Sequence, residues 1–134
     1  MIAAWASGYV GLPFLWNGYD RDGIGCYGIV ALVLREQFGV SLPRHDDIAD
    51  LLAAGSDVNV PDVPGWEEIP LSEAQAGDIL HMHGMHNGQI VPMHIGLFVS
   101  PRHVLHIEKE VGSCIIEITS KKHAWRAIGA HRHV

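Results

Sequence analysis

Only 2 of the 134 residues are cysteine, and no CxxC pair occurs, which excludes a disulfide scaffold and a cysteine-ligated zinc or redox motif. Positive charge is scarce as well. Nine Lys and Arg against 15 Asp and Glu leave a formal net charge of −6, the wrong sign for a protein that coats a phosphate backbone. The first 16 residues carry no Lys or Arg, are interrupted by Gly8, Gly11 and Pro13, and are too few to cross a bilayer. They read as the start of a chain made in the cytoplasm without a signal peptide, and neither nucleic acid nor membrane is an expected partner. There is no internal repeat and no low-complexity tract. A composition 48% hydrophobic and 18% charged excludes a disordered or fibrous chain and fits one domain over residues 1–134. What the chain has in excess is histidine, 10 in all, which points to metal binding or to catalysis.

The chain changes character along its length. Residues 2–10 predict a short helix ended by Gly11 and Pro13. A Gly- and Asp-rich loop over residues 16–25 follows, then a helix from residue 26 to 38 that is apolar nearly all round and therefore buried, stopped by Gly39. Residues 46–54 predict an amphipathic helix, and the proline-bearing stretch up to Pro70 an irregular surface segment. From Gly77 on, residues 79–83, 90–100, 104–109, 114–119 and 127–133 alternate as antiparallel strands do, with a turn at 84–87. Helices first and a meandering sheet afterwards make an α+β domain.

Cys26 has the setting of a nucleophile. It opens the buried helix behind Gly23 and Gly25, where the helix dipole favours thiolate. The alternative is a small cysteine that simply packs. A nucleophilic cysteine needs a base and an orienting partner. His94 and His106, on consecutive strands joined by a turn near Pro101, fall at the same level of a hairpin, so that one ring can set the tautomer of the other. Two ordinary strand histidines facing solvent fit the spacing equally.

The ordered segments Gly11-Leu-Pro-Phe, Gly23-Ile-Gly-Cys-Tyr-Gly-Ile-Val, Leu42-Pro-Arg, Ala76-Gly-Asp-Ile-Leu, His94-Ile-Gly-Leu-Phe-Val and Val104-Leu-His106 resemble the NlpC family of cell-wall cysteine peptidases over nearly the whole chain. Leu34-Arg-Glu-Gln-Phe-Gly-Val and Ile128-Gly-Ala-His-Arg-His resemble its branch in bacteriophage tails and gene-transfer particles. The resemblance implies a papain-like fold, with N-terminal helices packed on a C-terminal antiparallel sheet. It also implies hydrolysis of peptidoglycan stem peptides, commonly between γ-D-glutamate and diaminopimelate, without a cofactor. By position, Cys26 becomes the nucleophile, His94 the base and His106 the orienting residue, with the Cys26 N–H as oxyanion donor. Tail-tip proteins become the further partners, and a virion tail or phage-like particle acting on the bacterial wall becomes the location. Two positions depart from the family: Gly25 stands where Asp is usual, and Phe14 where Tyr is common.

Trp16, Tyr19, Tyr27 and the loop over residues 61–66 are the candidate walls of a substrate groove, and Arg44 a candidate contact for a substrate carboxylate. Cys114 reads as packing and Asp78 as a turn stabiliser. Lys121, Lys122, Arg126 and Arg132, with His123, His131 and His133, form a basic stretch suited to approaching an anionic polymer. Two readings of other classes compete. One is a His-rich metal-binding protein built on His81, His83 and His86, whose ring nitrogens suit zinc, copper or nickel. The other is an inactive structural tail component that keeps the fold.

Overall fold

The computed structural model describes residues 1–15, 18–42, 66–86 and 89–133. Trp16, Arg44, the expected helix over residues 46–54 and the stretch up to residue 65 lie outside the described residues.

A two-stranded hairpin, β1 (Tyr19–Asp20) and β2 (Gly23–Ile24), delivers the chain to helix α1 (Cys26–Phe38). Asp20 shapes the hairpin turn by accepting a hydrogen bond from the Asp22 N–H at 2.9 Å. From Tyr27 to Leu34 every α1 residue except Ala31 is buried, as expected for a helix with almost no polar stripe. Gly39 ends the helix in the left-handed region, φ 67°, its N–H bonded to the Leu34 carbonyl. Gly28 has a different task. A Cβ there would lie 2.0 Å from the Gly18 carbonyl oxygen, so glycine lets the preceding loop close onto the first turn of the helix.

Six strands follow: β3 (Trp66–Ile69), β4 (Ile79–His86), β5 (Gln89–Phe98), β6 (His103–Glu108), β7 (Gly112–Glu117) and β8 (Ala127–His133). They form one antiparallel sheet in the order β3-β8-β4-β5-β6-β7. Alternate side chains go to opposite faces. Ile79, Leu97, Leu105 and Ile107 join α1 in one apolar cluster, while Leu80, Met82, Phe98, Val104 and Ile116 build a second cluster on the other side.

Three expectations need correction. The first short helix is a 3-10 segment over Ala4–Tyr9. Residues 66–69 are not irregular but form edge strand β3, paired with β8. And Gly84 to His86, expected to lie in a turn, are strand: β4 runs through them, with its register to β5 shifted between Met82 and Gly84. Glycine in a strand interior often marks such an irregularity or a close approach, and here it marks both.

Candidate active site

Cys26 sits at the first position of α1, half-buried and packed against the helix-side core. Gly25, the residue before it, is extended at φ −99° and ψ 178° and provides no side-chain cap. Burial raises the Cys26 thiol above its ordinary range and outweighs the hydrogen bonds it receives from the backbone at Ile95, Tyr27 and Cys26 itself. This corrects the expectation that the helix start makes thiolate available near neutral pH. Removal of water from the sulfur is the larger effect. The Ile95 contact also locates the thiol, beside the residue that follows His94.

His94 (β5) and His106 (β6) are both buried. His94 Nε2 lies 3.0 Å from His106 Nδ1, with the rings edge to face at 84°. The pairs Leu97–Leu105 and Phe98–Val104 set the register of these strands. Continued by one residue, that register puts Gly96 across from His106. The two imidazoles are therefore offset diagonally on one face of the sheet, not level as the 12-residue spacing suggested. Two glycines make room for them. A Cβ at Gly84 would lie 2.7 Å from the Cβ of His94, and one at Gly96 would lie 2.5 Å from Val104 and 3.3 Å from the Cβ of His106.

Both imidazoles are held neutral. Burial, then the charge of His106 and of Arg126, lowers His94 to about 3. Burial and Arg126 lower His106 to about 4, with Glu108 opposing. With Nε2 turned to His106, Nδ1 is the nitrogen left to His94 for exchanging a proton with a partner. A neutral, oriented imidazole is suited to take the proton of a neutral thiol as that thiol attacks a carbonyl.

The surroundings hold partners that sequence reasoning missed. Cys114, expected only to pack, reaches His106 from the other side, with Sγ 3.5 Å from Nε2. The signal was present: a β6–β7 hairpin centred on Glu110 places residue 114 opposite 106, as observed. Glu108 Oε1 lies 4.0 Å from His106 Nδ1 and is paired with Arg126, which also donates to the His83 carbonyl at 3.0 Å.

Of the other candidates, Tyr19 is half-buried and Tyr27 buried, their rings edge to face at 6.5 Å. Of the His81, His83 and His86 trio, two side chains are described. His83 stacks on Trp125, the charge of His81 acts on His131, and the side chain of His86 lies outside the described set. His94, His106 and Glu108 do bring three ligand-type atoms within 4.8 Å of one another. However, the hydrogen bond between the rings occupies two of those atoms, and the Arg126 cation sits on the third. The C-terminal basic stretch also shrinks. Arg126 is committed to Glu108, and Arg132 forms a two-pronged pair with buried Asp78 at 3.0 and 2.9 Å. Asp78 accepts the Gln75 N–H as well, at 2.8 Å, which is the turn-stabilising task expected of it.

A cysteine at the start of a buried helix, packed on an antiparallel sheet that carries a hydrogen-bonded histidine pair, is the layout of the papain-like cysteine peptidases. The chain belongs to the NlpC/P60 family, whose profile matches residues 11–131. That family comprises cysteine peptidases that hydrolyse peptidoglycan. Among curated proteins the chain is similar to the gamma-D-glutamyl-L-lysine dipeptidyl-peptidase of Bacillus subtilis strain 168, 32% identical over 101 residues. Those residues are 75% of this chain and 29% of that protein, so the chain spans well under half of its relative's length. Among solved structures it resembles the NlpC/p60 domain of the peptidoglycan hydrolase SagA, with TM-score 0.64, 20% identity, and 95% and 92% of the two chains covered. It also resembles an NLP/P60 lipoprotein-like protein from Staphylococcus aureus Mu50, with TM-score 0.62, 26% identity, and 96% and 39% covered. A third likeness is an NlpC/P60 protein from Bacillus cereus ATCC 10987, with TM-score 0.65, 19% identity, and 96% and 37% covered. The first and third show a shared fold.

Proposed function

We propose that this chain is a cysteine endopeptidase that cleaves peptidoglycan stem peptides on the carboxyl side of γ-D-glutamate, with a diamino acid such as diaminopimelate supplying the amine. The observation that carries the reading is the 3.0 Å contact between His94 and His106 next to the backbone site that holds the Cys26 sulfur. Family membership supports the reaction, and the gamma-D-glutamyl-L-lysine dipeptidyl-peptidase activity for which the Bacillus subtilis relative is named supports the bond.

The sulfur of Cys26 attacks the peptide carbonyl carbon while Nδ1 of His94 takes the thiol proton. The backbone N–H of Cys26 stabilises the oxyanion. His106 accepts the Nε2–H of His94 and steadies the imidazolium. That imidazolium protonates the departing amine, leaving a thioester on Cys26. Water, deprotonated by His94, then releases the acid and restores the thiol. Tyr19, Tyr27 and Trp16 line the substrate groove in this reading, and residues 1–134 act as a single peptidase domain. The motifs at residues 34–40 and 128–133 support placement in a phage-type tail among tail-tip proteins, made in the cytoplasm and acting on the bacterial wall.

Purified sacculi and a defined stem peptide test this. New amino termini should appear with the parent chain and fall by several orders of magnitude with Cys26→Ala. Equal release by both chains overturns the assignment. A folded parent that binds sacculi without cutting them supports instead a structural tail component, for which the uncapped Gly25 is the sequence mark.

A further inference from the structure

His106 has two tautomers, and only one serves the proposed reaction. To orient His94 it must accept the Nε2–H of His94 at its own Nδ1, so its own proton must reside on Nε2. Two groups compete to decide this. Glu108 Oε1, 4.0 Å from Nδ1, attracts a proton to the wrong nitrogen. Cys114 Sγ, 3.5 Å from Nε2, accepts one from the right nitrogen. The register makes the second contact fixed, not incidental: Cys114 is the direct cross-strand partner of His106 in the β6–β7 ladder. Arg126 weakens the first by drawing Glu108 into an ion pair.

We infer that Cys114 is a positioning residue, which accepts the Nε2–H of His106 and so holds His106 in the tautomer that orients the base His94. The result is a line of three side chains, His94, His106 and Cys114, with the Cys114 thiol acting as a terminal acceptor and taking no part in bond making. Sulfur is a weak acceptor. It suffices here because His106 is buried and a ring N–H without a partner there is costly. The nitrogen that carries a histidine's proton is set by the hydrogen bond the other nitrogen makes. This role rests on the proposed peptidase reading of the same site.

The test compares Cys114→Ala with Cys114→Ser in the full chain. Alanine removes the acceptor, whereas serine keeps one of similar size. Long-range nitrogen–proton NMR of the imidazoles reads the tautomer directly, with or without turnover. The parent and Cys114→Ser should show His106 protonated at Nε2, and Cys114→Ala a mixture with Nδ1. In stem-peptide cleavage, Cys114→Ala should lower kcat about tenfold, the scale on which outer hydrogen-bond partners of functional imidazoles act. KM should stay unchanged, and serine should recover most of the loss. A His106 tautomer unchanged in Cys114→Ala overturns the inference, as does an alanine variant with parental kcat. If the parent cuts no stem peptide, the peptidase reading fails while the NMR comparison still decides the role of Cys114.

Discussion

The imidazole of His94 occupies the volume that any side chain at Gly84 would need: a Cβ on Gly84 would lie 2.7 Å from Cβ and 2.9 Å from Cγ of His94. The two residues sit on adjacent strands where the β4–β5 register shifts. Gly84→Ala should therefore displace the His94 ring. Displacements of about 1 Å at a reacting group cost on the order of 10²-fold in rate, so kcat/KM on a stem peptide should fall by about that factor. An alanine variant with parental kcat/KM and an unchanged thermal midpoint would show that the strands yield without moving the ring.

Acid should unfold the protein early. His94 and His106 are lowered to about 3 and about 4 by burial and by Arg126, whereas in the unfolded chain each titrates near its ordinary 6.5. Between those values the unfolded chain binds protons that the native state refuses, so stability is complete above about pH 6.5 and is lost as the pH falls toward 4. Each histidine contributes about a tenfold change in the folding equilibrium constant per pH unit within that window. Urea unfolding from pH 7.5 to 4.5 measures the slope, and His106→Asn should make it shallower. Parallel curves for parent and variant would contradict the assignment.

The raised Cys26 thiol predicts slow alkylation at neutral pH, because thiolate is the reacting form. Site-resolved mass spectrometry after brief iodoacetamide treatment should show the Cys26 rate climbing about tenfold per pH unit from 7 to 9 without a plateau. A rate independent of pH across that range would mean that the resting site holds a thiolate–imidazolium pair instead of two neutral groups.

Asp78 anchors β8 to the turn that opens β4, by its pair with Arg132 and its bond from the Gln75 N–H. Removing the buried carboxylate strands the amide donor, a loss of about 1–3 kcal/mol. Asp78→Ala should lower the urea midpoint accordingly, with Asp78→Asn intermediate and kcat per folded molecule unchanged. An alanine variant as stable as the parent would remove the anchoring role.

Features written in local chemistry were legible in the chain itself. Seven buried residues between 27 and 34 and a left-handed Gly39 produced the α1 bounds read from apolar density and a stop glycine. The β8 bounds also matched. Edge strand β3 was not legible, because four residues, two of them Glu, carry no period of their own and become strand only by pairing with β8. Gly84 misled for a related reason. Between His83 and Asn87 it has the look of a turn, and its reason for being glycine is the ring of His94 on another strand.

By itself, the order of residues determined that a small, uncharged-fronted helix would open on Cys26 and that His94 and His106 would lie on neighbouring strands, because period and punctuation act within a few residues. Tertiary structure alone decided how those groups behave. It offset the two rings diagonally, gave His106 a second thiol as neighbour, and drew Arg126 and Arg132 out of the basic stretch into ion pairs. It also left the thiol and both imidazoles neutral, because desolvation depends on what packs around a group, and that is contributed by residues far apart in the chain.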